Sequence, residues 1–242
     1  MTGVTGLLAL VAGRGPGTVW VVLAVLAGQL FVGWSNDYLD RDRDAGRADK
    51  PVARGQVAPD TVRAAAIAAL VAAVPLSLAS GVAATLVHLV AIASASAYNL
   101  GLKATLFSAV PYAVSFGLVP AFVTLGLAQS HWPPAWVLAA AALIGIAGHF
   151  AQARPDVARD RVQRIKGLPQ LAGDRGAAIA AAFFLAAAAA LIAVATRNPL
   201  PLIALVPAAG VALTPPRIAF LLTLATAVLT AGTFLVIAGR SA

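Results

Sequence analysis

The chain has 242 residues, of which 60% are hydrophobic and only 11% are charged, and its mean hydropathy is +0.88. Ordinary soluble domains carry roughly 25% charged residues, so this composition excludes a soluble protein and predicts a helical membrane protein. No cysteine is present, which excludes disulfides and thiolate metal sites. The net charge of +8 could suggest a nucleic-acid ligand, but in a membrane protein such an excess is typical of loop orientation.

Long apolar runs predict an all-α, polytopic transmembrane helical bundle with about eight full spans. Residues 3–13 are too short to cross unaided and are interpreted as an abbreviated N-terminal helix or a re-entrant piece. Alanine, glycine and serine are frequent inside the runs and permit close helix packing in lipid. The predicted spans are residues 18–36, 64–79, 82–99, 104–128, 133–152, 176–196, 199–214 and 218–238.

The charged residues are concentrated in two windows, residues 37–63 and 154–175. All nine acidic residues are aspartates, and all lie in these windows. Four predicted spans separate the windows, which places both on one side of the membrane. All basic residues except Arg14, Arg197 and Arg240 fall on that side, so the positive-inside rule predicts that it is cytoplasmic.

The first window directly follows an apolar span, and the helix is expected to continue through it. Asn36, Asp40 and Asp44 would then be spaced by four residues and stack on one helix face. Such crowding of like charges is destabilising unless neighbouring arginines or a divalent cation neutralise it. Carboxylate and amide oxygens without histidine or cysteine nearby favour a hard ion, Mg²⁺ above all.

The second window repeats this pattern with Asp156 and Asp160, followed by Arg164 and Lys166. A diphosphate bridged to a protein through Mg²⁺ requires carboxylates for the metal and cations for the remaining phosphate oxygens. The alternative is a solvated loop whose aspartates merely balance its arginines. Two such runs on one side of the membrane favour the diphosphate interpretation.

Three stretches resemble the UbiA superfamily of intramembrane prenyltransferases, which includes UbiA-type terpene cyclases. Residues 33–57, GWSNDYLDRDRDAGRADKPVARGQV, resemble its first signature, an N-D-x-x-D-x-x-x-D helix end followed by a K-P-[LV]-x-x-G loop. Residues 155–173, PDVARDRVQRIKGLPQLAG, resemble the second signature, although Arg164 stands where a third acidic residue is frequent. Residues 98–122 resemble the family's tyrosine-containing helix end with a following lysine.

The resemblance implies a single UbiA-like membrane domain over residues 1–242, built around an apolar cavity with a polar cytoplasmic cap. It also implies that Mg²⁺ binds the prenyl diphosphate and that Asp40, Asp156 and Tyr98 are catalytic. The implied metal ligands are Asn36, Asp37, Asp40, Asp44, Asp156 and Asp160, and the implied diphosphate-binding residues are Lys103, Lys166, Arg43, Arg54 and Arg164.

The expected function is therefore Mg²⁺-dependent transfer of a prenyl group from an isoprenyl diphosphate to an acceptor. A class I terpene cyclase that needs no acceptor is the alternative, and a transporter is a remote one. Transporters place ionisable groups near the membrane midplane, where this chain offers little besides His88, itself expected to be a packed core residue.

The expected partners are the lipid bilayer, the prenyl diphosphate and, for the transferase, a lipophilic or aromatic acceptor. No nucleic-acid partner is expected. The protein is predicted to be integral to the plasma membrane, with its active-site loops in the cytoplasm.

Overall fold

The computed structural model describes residues 1–47, 49–163 and 165–240, with side chains as far as residue 233. These residues form α-helices and short 3₁₀ turns, and no β-strand occurs among them. The α-helices are α1 (Thr2–Val11), α2 (Thr18–Leu39), α3 (Pro59–Leu78), α4 (Val82–Asn99), α5 (Val110–Gly117), α6 (Val119–Thr124), α7 (Ala135–Ala153), α8 (Val157–Val162), α9 (Leu168–Thr196), α10 (Leu205–Leu213) and α11 (Pro216–Arg240).

Among the described residues, six helical stretches are long and apolar enough to cross a membrane. Three shorter apolar stretches accompany them, and one of these, α1, matches the abbreviated first helix. The all-helical membrane fold is confirmed, but two of the eight expected spans, 104–128 and 199–214, form only short helices. The six long stretches are Gly15–Leu39, Pro59–Leu78, Val82–Asn99, Ala135–Val162, Leu168–Thr196 and Pro216–Thr233.

Prolines account for the two shortened spans. The helix breaks at Leu118, between α5 and α6, just before Pro120. Proline has no amide hydrogen to donate to the preceding turn, so a helical hydrogen bond is lost there. Pro199 and Pro201 likewise accompany a 3₁₀ stretch, Leu200–Ala204, ahead of α10.

The chain divides into two compact units. Unit 1 comprises Met1–Leu100 and Phe122–His131, and unit 2 comprises Gly101–Ala121 and Trp132–Ala242. Each unit therefore contains one of the two charged windows: residues 37–63 lie in unit 1 and residues 154–175 in unit 2.

In unit 1, α2 packs along α3, and α4 packs against both. Ala27, Ala73 and Ile92, one from each helix, form a small buried core. His88 on α4 shares a 2.7 Å hydrogen bond with Ser77 on α3 and stacks on Phe122, with 4.6 Å between ring centroids. His88 is thus a packed, hydrogen-bonded core residue.

In unit 2, α7 packs against α5 and α9, and α10 packs against α9 and α11. The core combines Phe150, Leu185 and Val211 with alanines from these helices. Glycine allows the closest approach: a Cβ at Gly145 on α7 would lie 2.5 Å from the carbonyl oxygen of Tyr112 on α5. Small residues therefore set the helix spacing, as the alanine-rich runs indicate.

Candidate active site

The first aspartate cluster consists of Asn36, Asp37, Asp40 and Asp44 and lies at the end of α2. The α-helix ends at Leu39, so the expectation that it continues through Asp44 is wrong. Hydrogen bonds of helical spacing nevertheless persist, because the Asp40 amide donates to the Asn36 carbonyl at 2.9 Å and the Asp44 amide donates to the Asp40 carbonyl at 2.8 Å. The four-residue spacing is thus retained in a looser series of turns, where aspartate is more favourable than inside a helix.

Asp40 and Asp44 are buried, with exposed fractions of 6% and 3%. Arg43 Nη2 donates to Asp40 Oδ2 at 2.8 Å. Among the described residues, the ion pairs of Asp44 are longer, with Arg47 Nη1 3.9 Å from Oδ1 and Lys50 Nζ 3.8 Å from Oδ2. Its buried Oδ1 has no hydrogen-bond partner within the described part of the chain. An unsatisfied buried carboxylate oxygen is unfavourable, which makes Asp44 a suitable ligand for a cation.

Lys50 belongs to this cluster, although sequence reasoning did not select it. Its Nζ lies 2.5 Å from Asp37 Oδ1 in addition to the longer contact with Asp44. The sequence feature that could have identified Lys50 is its position at the start of the K-P-V-A-R-G loop. The closest contacts of Arg47 are with Asp49, to which it donates two hydrogen bonds. These hydrogen bonds lower the pKa of Asp49 to about 2.

Tyr98 and Arg54, also predicted site residues, lie in the same unit. Tyr98 is partly buried at the carboxyl end of α4. The next residue, Asn99, donates from Nδ2 to the Val32 carbonyl at 2.9 Å and so holds this end of α4 against α2. Arg54 is exposed, and its amide donates to the Lys50 carbonyl at 3.1 Å.

The second aspartate cluster consists of Asp156, which immediately precedes α8, and Asp160, in the middle of α8. Asp156 is partly exposed and accepts a 3.1 Å hydrogen bond from Arg159 Nη2. Asp160 is buried and accepts a 2.8 Å hydrogen bond from Gln170 Nε2. Gln170 was not predicted, and no sequence pattern marks it beyond its place after G-L-P.

Within unit 2, the turn at Gly167 connects the second aspartate cluster to the segment that contains Lys103. A Cβ at Gly167 would collide with the Lys103 carbonyl oxygen and would lie 2.6 Å from Gln170 Oε1. The buried Ser108 Oγ accepts a hydrogen bond from the Leu168 amide at 3.0 Å. The structure therefore brings the Lys103 backbone to the second signature.

Two other cations, Lys166 and Arg164, were predicted in this region. Lys166 is exposed and lies one residue before Gly167. Arg164 lies outside the described residues.

Helix α9 contains a break at Gly173, whose φ of +77° is accessible mainly to glycine. Arg161 Nε donates to the Gln170 carbonyl at 2.6 Å, next to the break. On the other side, buried Arg154 binds both carboxylate oxygens of Asp174, at 2.9 and 3.2 Å. Arg154 also donates to the Val211 carbonyl at 3.2 Å, so this pair has a structural role.

The chemistry of the first aspartate cluster fits a hard divalent cation. Its donors are carboxylate and amide oxygens, the ligands that Mg²⁺ prefers, and Asp44 supplies a buried oxygen without a hydrogen bond. Among the residues that the structure describes, no group of three or more His, Cys, Asp or Glu side chains is arranged to hold a metal. Basic side chains neutralise two carboxylates of the cluster, because Arg43 pairs with Asp40 and Lys50 pairs with Asp37.

A model of the UbiA prenyltransferase family matches residues 1–223. The chain belongs to this family. Its match extends over both aspartate clusters and, together with the six long apolar helices, makes this UbiA family member an integral membrane protein. No curated protein sequence matches the chain.

Three solved structures share the fold. An apo UbiA homolog from Aeropyrum pernix K1 is 18% identical, with a TM-score of 0.74 over 99% of this chain and 94% of that one. A digeranylgeranylglyceryl phosphate synthase is 14% identical, with a TM-score of 0.72 over 99% and 93%. A UbiA homolog from Archaeoglobus fulgidus, bound to GPP and Mg²⁺, is 15% identical, with a TM-score of 0.62 over 97% and 86%.

Proposed function

We propose that this UbiA family member is a Mg²⁺-dependent intramembrane prenyltransferase that ionises an isoprenyl diphosphate and transfers the prenyl group to an acceptor. The observation that carries the proposal is the pair of buried aspartates at the end of α2, Asp40 and Asp44, one of which has an oxygen without a hydrogen bond. Family membership supplies the reaction class, and the relative bound to GPP and Mg²⁺ supports both the substrate class and the metal.

The proposed roles follow the two signatures. Mg²⁺ bound to the aspartates would place positive charge against the diphosphate oxygens as they become the leaving group. Tyr98 would orient the leaving oxygen. The proposed metal ligands are Asn36, Asp37, Asp40, Asp44, Asp156 and Asp160, and the proposed diphosphate-binding residues are Arg43, Arg54, Lys103, Lys166 and Arg164.

The reaction breaks the bond between the allylic carbon and the diphosphate oxygen, and the electron pair leaves with the diphosphate. Lysine and arginine side chains donate hydrogen bonds to the departing oxygens, where charge develops. The acceptor nucleophile then bonds to the allylic carbon and loses a proton. Apolar helices exclude water, which would otherwise quench the allylic cation.

The domain organisation, the membrane and the acceptor are also proposed from the family resemblance and the charge distribution. We propose that residues 1–242 act as one membrane domain in the plasma membrane, with both aspartate clusters on the cytoplasmic side. The acceptor is proposed to be a lipophilic or aromatic molecule.

The proposal is tested with purified protein in detergent and a series of allylic diphosphates. Pyrophosphate release and organic products are measured with Mg²⁺ or EDTA, and with or without phenolic and lipid-phosphate acceptors. We expect release only when Mg²⁺ and an acceptor are both present. A cyclic hydrocarbon formed without acceptor would instead identify the terpene cyclase. Metal-independent solute transport in liposomes, with no turnover of diphosphate, would contradict both enzyme functions.

A further inference from the structure

We infer that Lys50 competes with the metal for the first aspartate cluster and becomes a ligand of the diphosphate once the metal displaces it. This inference rests on the proposed function and assigns a role to a residue outside the predicted site. Lys50 would thereby make binding of metal and binding of diphosphate depend on each other.

The contacts of Lys50 carry the first step. Its ammonium lies 2.5 Å from Asp37 Oδ1 and 3.8 Å from Asp44 Oδ2, so it is shared by two carboxylates of the cluster. The Asp44 side chain is almost fully buried, whereas the side chain of Lys50 is 22% exposed. Lys50 therefore reaches a buried carboxylate from a position that solvent can enter.

A divalent cation bound to Asp44 would face the Lys50 ammonium at short distance. Charges of equal sign repel each other, so a metal on the buried Asp44 carboxylate would weaken the attraction of Lys50 to it. Lys50 is the group that can move, because its charge sits on a flexible four-carbon stem. Arg47, the other cation near Asp44, is retained by its two hydrogen bonds to Asp49.

Once the metal displaces Lys50 from the carboxylates, the Lys50 ammonium lies free next to the bound metal. A diphosphate can bind to both cations. Its oxygens coordinate the metal and accept charge-assisted hydrogen bonds from lysine. Each ligand therefore binds more tightly when the other is present, and this coupling must be equal in both directions. Metal alone is expected to bind weakly.

The test uses the full chain in detergent, with Mn²⁺ as a paramagnetic probe of the metal site. Free Mn²⁺ is titrated by electron paramagnetic resonance without phosphate, and pyrophosphate binding is measured separately by calorimetry at saturating Mg²⁺. The variants are Lys50→Met, Lys50→Gln and the charge-retaining Lys50→Arg. Arg63→Met is the matched control, because Arg63 forms an exposed ion pair with Asp60 in the same unit.

Lys50→Met and Lys50→Gln are expected to bind Mn²⁺ about threefold more tightly than the parent, the effect of removing one partly exposed competing ion pair. The same variants are expected to bind pyrophosphate about tenfold more weakly, because one charge-assisted hydrogen bond is lost. Lys50→Arg and Arg63→Met should match the parent in both measurements. Opposite changes in the two affinities distinguish this role from a general loss of structure.

Unchanged or weaker Mn²⁺ binding in both neutral variants, with normal binding by the parent, would overturn the competition and leave the proposed function standing. Tighter Mn²⁺ binding with unchanged pyrophosphate binding would overturn the role of Lys50 as a diphosphate ligand. A parent protein that binds no metal in either experiment would overturn the metal-dependent function together with this inference.

Discussion

Aspartates two positions apart in the D-R-D-R-D run have very different surroundings. Asp40 is buried and hydrogen-bonded to Arg43, whereas the Asp42 side chain is 88% exposed and only 3.6 Å from its neighbour Arg41. The sequence pattern distinguishes them through the four-residue spacing from Asn36. The structure adds that, of these two aspartates, Asp40 is the one buried within the first aspartate cluster, where a metal would find several oxygen ligands.

Asp40→Ala is expected to reduce pyrophosphate release at least about 100-fold, the scale of removing a group that stabilises the transition state. Asp42→Ala, its matched control, should stay within about twofold because exposed substitutions have small effects. Steady-state release with thermal unfolding in detergent measures both effects. Equal activities of the two variants would contradict the assignment of Asp40.

Asp156→Ala tests the second aspartate cluster in the same way. We expect a comparable loss of turnover with little change in thermal stability, because Asp156 is partly exposed and its ion pair with Arg159 is local. Activity close to that of the parent would exclude Asp156 as a ligand.

Gln170 is a positioning residue for Asp160, because its amide holds one carboxylate oxygen at 2.8 Å. Gln170→Ala is expected to lower stability by about 1–3 kcal/mol, the range for a hydrogen bond to a buried charged group. It should also raise the Mg²⁺ concentration for half-maximal activity about tenfold, as loss of a ligand's supporting contact does. Exposed Gln56→Ala is the control, and a Gln170 variant with unchanged Mg²⁺ dependence would limit Gln170 to a structural role.

The sequence identified the carboxylates of the candidate site more readily than the residues that contact and position them. Asp40, Asp44 and Asp160 could be selected because acidic residues at helical spacing stand out in an apolar chain. Lys50, Ser108 and Gln170 act through contacts with residues 6 to 60 positions away, which spacing does not encode. A buried serine is also an ordinary component of a membrane helix bundle.

At the scale of helices, α7 contains two glycines with opposite surroundings. A Cβ at Gly145 would lie 2.5 Å from the Tyr112 carbonyl oxygen and 2.6 Å from Phe116 Cβ, whereas a Cβ at Gly148 would meet nothing within 4 Å. Of these two glycines, Gly145 is therefore the one that the packing of α5 against α7 needs.

Gly145→Ala is expected to destabilise the protein by about 1–3 kcal/mol through overpacking. Gly148→Ala should be neutral or stabilising by up to about 1 kcal/mol, because alanine is the better helix former. Thermal unfolding in detergent compares the two variants. A Gly145 variant as stable as the Gly148 variant would show that α5 and α7 are not in close contact in the folded protein.

Helix ends were harder to predict than helix existence. Apolar runs revealed the long helices, but the runs at 104–128 and 199–214 contain prolines that interrupt the backbone hydrogen bonds while leaving hydropathy high. The end of α2 was also missed, because Asn36, Asp40 and Asp44 keep their spacing through turns rather than a continuous helix.

At the scale of the whole molecule, the shortened middle span determines the predicted topology. Even as one unbroken helix, Val110–Thr124 would span roughly 22 Å at 1.5 Å per residue, less than the roughly 30 Å hydrocarbon core. Both aspartate clusters lie on one side only if this stretch, with its flanking residues, crosses the membrane.

Single cysteines test this crossing without background, because the chain has none of its own. We expect Gln56→Cys and Leu100→Cys to react with a membrane-impermeant maleimide only after cells are permeabilised, and Ser130→Cys to react in intact cells. All three positions are exposed. Labelling of Leu100→Cys and Ser130→Cys from the same side would show that the stretch between them does not cross.

The break at Gly173 limits how far a change in chain length before it affects the packing of the helix that follows. In a continuous helix, one inserted residue rotates everything beyond it by about 100° and would turn the packed face of a span away from its neighbours. Here Gly173 interrupts the helical register, and Arg154 fixes Asp174 at the start of the following segment. A change of length before Gly173 would therefore leave residues 174–196 with the same face towards α7, while it would disturb the packing of the turn at Gly167.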